Sequence, residues 1–559
     1  MIGPGVWPTP SAMANAVLLS LLARVAVAST CKNIPGDPGW PSQSDWAKLN
    51  ATVGGRLIQT VPQASVCHHE SNMQYDAAAC AELQNDWTLS QTHPSKPCEL
   101  GNYATYSINV TEAADIIAGL DFTNEHNIRL VIKNTGHDYL GKSTGVGALS
   151  LWTWNLKTTE LIKNYTSSLY SGPAMKVGSG VVGGEAIEIA AAEGYRIVGG
   201  ECGSVAPAGG YATGGGHSVL NTAYGMAADN VLEWEVVTAT GQYLIATPYN
   251  NTDLYWALSG GGGGTYAVVL SMTAKAHTDS PVLRGRLVFN DPGTDDGAAF
   301  WEAVTLWMEY LPSFIINQNT ILFEVLNNTF DGFDINLIGE TDPAVLTELL
   351  SPYLGELDRL KITYQLTSNA WDTYRDFYDG TEGFGPLPYG SDPATTTLNS
   401  RLIPTTVLQD REANAKFIDS LKLTVETGDF LVGCVAINVT NHDHVDNAVL
   451  PAWRDAAMIC NFNAFWNFTA PIEQNLALKR QMNQVYTPAI EEATPGSGVY
   501  LNEMDPLYIG DWKQTMYGVN YGRLEKIKDK YDPNHTFYGL FAVGSDYYAS
   551  DGSGRLCHA

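Results

Sequence analysis

The sequence predicts an α+β protein of at least two domains. Three observations carry this. At 559 residues the chain exceeds what one ordinary core organises. Between Thr111 and His277 short helical and strand patterns alternate around clusters of glycine. From about Ser280 those clusters vanish, and aromatic residues and prolines become frequent.

The chain opens on a stretch outside this pattern. Ala16 to Ala28, AVLLSLLARVAVA, is apolar but too short to span a bilayer, and it closes on the small-residue run Ala26-Val27-Ala28. Residues 1–28 therefore read as a signal peptide cut before Ser29, followed by an N-terminal extension over 29–97. Asn-x-Ser/Thr acceptors at Asn50, Asn109, Asn164, Asn250, Asn327, Asn438, Asn467 and Asn534 fit a secreted glycoprotein. Cysteine usage agrees: Cys31, Cys67, Cys80, Cys98, Cys202, Cys434, Cys460 and Cys557 all lie beyond the cleavage point, where an oxidising route would pair most of them. Disulfides near the N-terminus and a Cys434 to Cys460 pair are plausible, with connectivity open. Cys67-His68-His69 has no second ligand pair at zinc spacing, so no metal is expected.

Charge narrows the partners. With 31 basic against 59 acidic residues the chain carries −28, a field that repels phosphate backbones and anionic lipid. Neither a nucleic acid nor a membrane is expected as partner.

The elements follow in order. TEAADIIAGLDFTNEHN, from Thr111, reads as a helix with a threonine N-cap and apolar residues at helical spacing, and Ile128 to Lys133 as a strand. Ala148 to Leu156 reads as a strand; GGEAIEIAAAEG is a helix closed by Gly194. Val231 to Ala246 gives two strands around a turn, and Ala267 to His277 one more. Beyond Ser280, strands such as ILFEVL and DINLIG mix with helices such as DPAVLTELLSPYL. The tail DWKQTMYGVNYGRLEKIKDKYDP fits a helix ended before Pro533.

One motif invites a nucleotide reading. Gly178-Ser179-Gly180-Val181-Val182-Gly183 matches G-x-G-x-x-G between a strand and a helix, with Glu201 about twenty residues on. In so glycine-rich a chain the pattern is better taken as a tight turn than as a nicotinamide site.

A stronger constellation joins VIKNTGHDYLGKSTG (Val131 to Gly145), GGECGSVAPAGGYATGGGH (Gly199 to His217), YGMAADNVLEWEVVTATG (Tyr224 to Gly241) and DLYWALSGGGGGTYAVVLSM (Asp253 to Met272). These segments resemble the flavoproteins of the vanillyl-alcohol oxidase and p-cresol methylhydroxylase superfamily, and within it the berberine bridge enzyme-like oxidases of the fungal secreted branch. The stretch from Tyr500 to Phe537 resembles that group's C-terminal flavin-contacting segment.

The resemblance implies a bilobal FAD-binding domain of the p-cresol methylhydroxylase type over 98–279, an inserted α+β substrate domain over 280–499, and a C-terminal segment, 500–559, returning to the FAD domain. It implies FAD attached through His137 and Cys202. Asn134, Thr135, Gly136, Asp138, Gly141 and Ser143 would surround the first attachment, and Gly200, Gly209, Gly210, Thr213, Gly214, Gly215 and Gly216 the second. Asp229, Val231 and Asn520 complete the implied cofactor set. Val205 matches the position where a small side chain admits dioxygen. Tyr500 and Asn502 match a Tyr-x-Asn element, Tyr500 as a base of lowered pKa and Asn502 as a positioning group; an extended segment would turn Leu501 and Glu503 to the other face. Asp505, Tyr374 and Tyr378 are the reserve candidates for the base. The glutamate that serves the berberine bridge enzymes has no counterpart in Leu431 to Val439. The implied activity is oxidation of an alcohol or hemiacetal carbon of a small-molecule substrate to a carbonyl, with O2 reduced to H2O2. Oxidation or oxidative cyclisation of a secondary metabolite, and a flavin-carrying binding protein without turnover, are the alternatives.

Overall fold

The computed structural model describes residues 31–67, 75–85, 99–293, 296–381, 387, 396–440, 445–467 and 470–559. Residues 1–28, His68, His69 and Cys98 lie outside the described residues.

Strands β1 (Leu57–Gln59), β2 (Tyr106–Asn109), β3 (Leu130–Lys133) and β4 (Leu149–Trp152) form a sheet in the order β1-β2-β4-β3. β4 runs parallel to both β2 and β3. A parallel arrangement needs a crossover, and the helix Ala113–Glu125 supplies it, burying Ile116 and Leu120 with Ile108 and Leu151. Its start differs from the sequence reading. Glu112 occupies the cap position without a side-chain bond, and Thr111 instead donates its amide and hydroxyl to Asp115, at 2.9 and 3.0 Å, because that buried carboxylate needs donors. Residues ahead of Leu100 are built into this lobe: Trp46 of the helix Gln43–Thr52 stacks on Tyr106 at 4.0 Å, and β1 pairs antiparallel with β2.

The second lobe is antiparallel. Strands β5 (Thr159–Thr166), β6 (Ser171–Gly178), β7 (Tyr195–Arg196), β8 (Val231–Thr238), β9 (Tyr243–Ala246), β10 (Ala267–Lys275) and β11 (His277–Thr278) give a five-stranded sheet, β5-β6-β10-β8-β9, and a separate β7-β11 ribbon. The β8-β9 hairpin turns at Gly241, whose φ of 74° suits a residue without Cβ.

The third layer is a seven-stranded antiparallel sheet. Strands β12 (Val282–Asn290), β13 (Thr320–Val325), β14 (Thr329–Ile338), β15 (Tyr364–Trp371), β16 (Thr396–Pro404), β17 (Leu431–Ala436) and β18 (Ala456–Phe465) lie in the order β15-β12-β14-β13-β17-β18-β16. Period-two alternation sorts its residues. Ile321, Phe323, Val432 and Phe462 pack against Trp307, Leu350 and Leu421 of three covering helices, Ala298–Phe314, Pro343–Leu360 and Arg411–Val425. Leu322, Val435 and Ile459 join the core that holds Trp234 and Tyr500. Cys434 and Cys460 are directly paired across β17 and β18 and form a disulfide; Cys31 with Cys557 and Cys67 with Cys80 form two more.

The tail is two helices rather than one. Gly518, at φ 55°, separates Trp512–Tyr517 from Tyr521–Tyr531. The second is anchored by Lys528, whose buried Nζ donates to Asp532 (2.6 Å), the Phe537 carbonyl (2.7 Å) and the Thr265 carbonyl (2.8 Å). Asp532 also accepts the amides of Thr536 and Phe537, both at 2.8 Å. Removing one partner of such a pair strands the other charge in the core. Lys528→Met should therefore cost about 3–5 kcal/mol of stability, measured by thermal or urea unfolding, and a wild-type melting curve would contradict the assignment.

Candidate active site

A cavity of about 250 Å³ opens where the lobes meet. Its wall comes mainly from the loop after β3, the glycine run, the turn before β10 and the C-terminal segment. β3 ends at Lys133, and Gly136, at φ 94°, turns the chain so that His137 faces the cavity. Asp138 fixes this loop by accepting the amides of Leu140 and Ser143 at 3.1 and 2.7 Å. Asn134 donates to Thr153 Oγ1 at 3.0 Å and to the Ser179 carbonyl. His137 Nε2 meets Ser204 Oγ at 2.8 Å, which ties the loop to the run that carries Cys202. Desolvation by the surrounding protein holds the imidazole below its ordinary pKa, so its neutral, nucleophilic form prevails at neutral pH.

The glycine run is held from behind. The amides of Gly183 and Gly184, at the start of the helix Gly183–Ala191, donate to the carbonyls of Val205 and Gly203 at 2.8 and 2.9 Å. Those helical amides thus hold protein. A Cβ at Gly178 or Gly180 would overlap the carbonyls of Leu156 and Trp154, so the G-x-G-x-x-G pattern is a packing turn. The Tyr378 hydroxyl lies 2.8 and 2.7 Å from the carbonyls of Gly200 and Glu201 and pins the residues just before Cys202. Neither Tyr378 nor Tyr374 lines the cavity, and burial pushes both phenols far up.

The C-terminal segment is a turn, not an extended strand. The amide of Glu503 donates to the Tyr500 carbonyl at 2.9 Å, which swings Glu503 round to the cavity beside Tyr500 and Asn502. Asn502 Nδ2 donates to the Tyr500 hydroxyl at 2.8 Å and to the Gly210 carbonyl at 2.9 Å. The Tyr500 phenol is not lowered in pKa. Burial pushes it far up and the charge of Glu503 adds to that, with the Asn502 hydrogen bond a smaller opposing effect. The charge of Glu503 disfavours a phenolate there.

Behind this end lies a cluster the sequence reading did not assign. His217 is buried; its Nε2 is 2.9 Å from Glu503 Oε1 and its Nδ1 is 3.6 Å from Glu201 Oε1. Burial alone would favour the neutral ring, but the charge of Glu503 and the hydrogen bond and charge of Glu201 outweigh it and raise the pKa well above the ordinary value. Tyr139, also on the wall, is pushed up by burial, then by Glu503 and Cys202.

Of the residues expected from sequence, Asn134, Thr135, Gly136, His137, Asp138, Ser143, Gly200, Cys202, Val205, Gly209, Gly210, Thr213, Tyr500 and Asn502 line the cavity. Seven do not. Gly141 sits in an exposed turn at φ 73°, Gly214 makes room for the Asn502 amide, and Gly215 and Gly216 carry the chain through positive φ. Asp229 takes both ends of the Arg454 guanidinium at 2.7 Å, Val231 gives its carbonyl to the Tyr255 hydroxyl, and Asn520 donates to the Ala448 carbonyl at 3.2 Å. Besides the acidic cluster, Lys142, Ser179, Gly263 and Tyr538 were missed. Ser179, Lys142 and Gly263 stand inside glycine-bearing segments that the sequence reading quoted, whereas Tyr538 had no local signal.

The wall suits a flat, polar-ended cofactor. Ser179 carries a buried hydroxyl without a protein partner, and a Cβ at Gly263 would stand 2.9 Å from the Gly210 Cα, so two backbones close on each other there. One neutral imidazole and one thiol face the same space. These residues fit FAD, and the three-layered fold with its cavity defines a flavin-binding oxidoreductase of the vanillyl-alcohol oxidase type.

Comparison with known proteins agrees. A family model described as FAD binding domain matches residues 104–247, and one described as Berberine and berberine like matches 499–539. The bifunctional decalin synthase of Penicillium decumbens is 47% identical over 95% of this chain and 96% of its own length. The crystal structure of a VAO-type flavoprotein from Myceliophthora thermophila, 46% identical, covers 95% of this chain and 100% of that one with a TM-score of 0.90. A glucooligosaccharide oxidase from Acremonium strictum, described with 6-S-cysteinyl, 8α-N1-histidyl FAD, is 18% identical, with a TM-score of 0.66 over 89% of this chain and 99% of that one, a likeness of fold alone. The chain belongs to the VAO-type, berberine-like family of FAD-linked oxidoreductases.

Two outcomes are expected. Gly263→Ala forces backbones apart at a cost of about 1–3 kcal/mol, so the ratio of bound flavin to protein, read by absorbance, should fall; an unchanged ratio would exclude this wall from the cofactor site. The raised pKa of His217 stabilises the fold fully below the ordinary histidine pKa of 6.5, and that contribution is lost as pH rises through the raised value. His217→Gln should abolish this alkaline decline in unfolding free energy, and a decline of the same size in the variant would refute it.

Proposed function

We propose that the protein is a secreted FAD-dependent oxidase that turns an alcohol or hemiacetal carbon of a small-molecule substrate into a carbonyl and passes the electrons to O2, giving H2O2. The observation that carries this reading is one cavity with His137 and Cys202 on its wall and Tyr500, Asn502 and Glu503 on the same wall. FAD, when bound, supplies the two-electron acceptor. His137 and Cys202 would hold it covalently, the neutral imidazole and the thiol each offering a nucleophilic atom. The double linkage printed for the glucooligosaccharide oxidase, which shares the fold, supports that assignment. Asn502 orients the Tyr500 hydroxyl toward the substrate oxygen, and Val205 keeps the wall small where dioxygen must enter. Three disulfides fit passage through an oxidising compartment.

A second reading is favoured by one likeness. The 47% identity to an enzyme named for decalin synthesis supports action on a secondary metabolite, by oxidation or oxidative cyclisation. Anaerobic bleaching of the flavin by a panel of alcohols, sugars and lactols, followed by peroxide assay on admitting air, tests the oxidase directly. Bleaching followed by peroxide is expected; a flavin that no member reduces would set the reading aside.

Two variants test the residues. Acid-precipitated wild type should stay yellow, as should His137→Ala and Cys202→Ala, and only the double variant should release flavin; free flavin from the denatured wild type would end the tether. Val205→Leu should slow reoxidation by oxygen while sparing reduction, and equal reoxidation rates would remove Val205 from the oxygen path.

A further inference from the structure

We propose that Glu503 is the catalytic residue that takes the hydroxyl proton of the substrate, with His217 as the positioning residue behind it; this rests on the alcohol-oxidase reading above. Glu503 lines the cavity directly beside Tyr500 and Tyr139. Its carboxylate is fixed at both oxygens: Oε1 lies 2.9 Å from His217 Nε2, and Oε2 accepts from Asn461 Nδ2 of β18 at 3.0 Å. A carboxylate offers about four lone-pair directions, so a substrate hydroxyl can still bond to an oxygen already held. That fixed orientation is what general-base catalysis needs, and a pKa far above neutrality disqualifies the Tyr500 phenol from the same task.

His217 does not touch the cavity's substrate end alone. Its edge meets the Tyr500 ring at 5.1 Å, and its carbonyl accepts the Tyr211 hydroxyl at 2.7 Å. Its other nitrogen faces Glu201, which lines the cavity too and whose charge reaches Asp334 of β14, the partner of Arg284. Glu201 Oε1 and His217 Nδ1 are both buried and face each other at 3.6 Å. The three groups Glu201, His217 and Glu503 thus form a row along the cavity wall.

The step balances as follows. With FAD bound as two-electron acceptor, the substrate C–H hydrogen would leave as hydride with its electron pair, the O–H pair would become the second bond of the C=O group, and the proton would pass to Glu503. The carbon is oxidised by two electrons and the flavin reduced by two. Dioxygen later takes those two electrons, the hydride's hydrogen and the proton returned from Glu503, giving one H2O2.

The test uses the holoenzyme and an alcohol that bleaches it. Glu503→Gln should keep its flavin content yet slow anaerobic bleaching at least 100-fold, about the low end of what a general base supplies, and Glu503→Asp should restore part of the rate. His217→Gln loosens one of the two holds on the carboxylate, so the limiting rate of bleaching should fall while the substrate's KM changes little, a split that a merely structural role would not give. Infrared difference spectra between oxidised and substrate-reduced wild type should show a new protonated carboxyl band that Glu503→Gln lacks. A loss of fold in Glu503→Gln leaves Glu503→Asp as the deciding variant, since bleaching there at the wild-type rate overturns the proposal. Bleaching at the wild-type rate in Glu503→Gln, or an unchanged infrared band, overturns it alone. A wild type that no alcohol reduces overturns the oxidase reading and this inference with it.

Discussion

One buried ammonium group holds the tail against the cavity. Lys528 has three N–H bonds, and each is used: one for Asp532, one for the Phe537 carbonyl and one for the Thr265 carbonyl just ahead of β10. The first two shape the tail and the third fastens it to the second lobe. An ammonium without water must fill every donor, so the geometry has little freedom. Phe537, Tyr538 and Gly539, which follow at once, are cavity wall, and Tyr500 to Glu503 belong to the same returning segment. The tail is thereby held as part of the site.

A second constraint sets the chemistry. The wall concentrates carboxylates, phenols and a thiol near one end, in a chain already at −28. Burial pushes every one of those phenols toward its neutral form, and the His217 imidazolium is clasped between two glutamates. Negative charge in the site is therefore carried by carboxylates, and the phenols act as hydrogen-bonding surfaces. At the other end the neutral His137 ring offers a lone pair instead of a charge.

Much of this architecture was legible in the sequence. The strand after Ile128, the helix closed by Gly194, the hairpin at Gly241 and the change of character at Ser280 all stand in the structure, since each rests on local periodicity and turn chemistry. His137 and Cys202 were singled out through the resemblance of the segments that carry them to the flavoprotein family, and both line the cavity. What sequence could not show is distance across the fold. His217 and Glu503 lie 286 positions apart, and nothing local to either says that they touch. The misplacement of Glu503 has a narrower cause: period-two reasoning holds for strands, and one amide to carbonyl bond between Glu503 and Tyr500 is enough to make a turn of it. Gly518 shows the same limit, because helical spacing continues across a residue whose backbone does not.

The Cys31 to Cys557 bridge links positions 526 residues apart, and its meaning is mechanical. Between those two sulfurs the polypeptide is a closed loop. Tension applied to the chain outside that loop runs through a single covalent cross-link and bypasses the sheets, the cavity and the returning tail altogether. Within the loop no residue is a terminus, so a new pair of ends opened in any surface turn would leave the backbone continuous through sulfur.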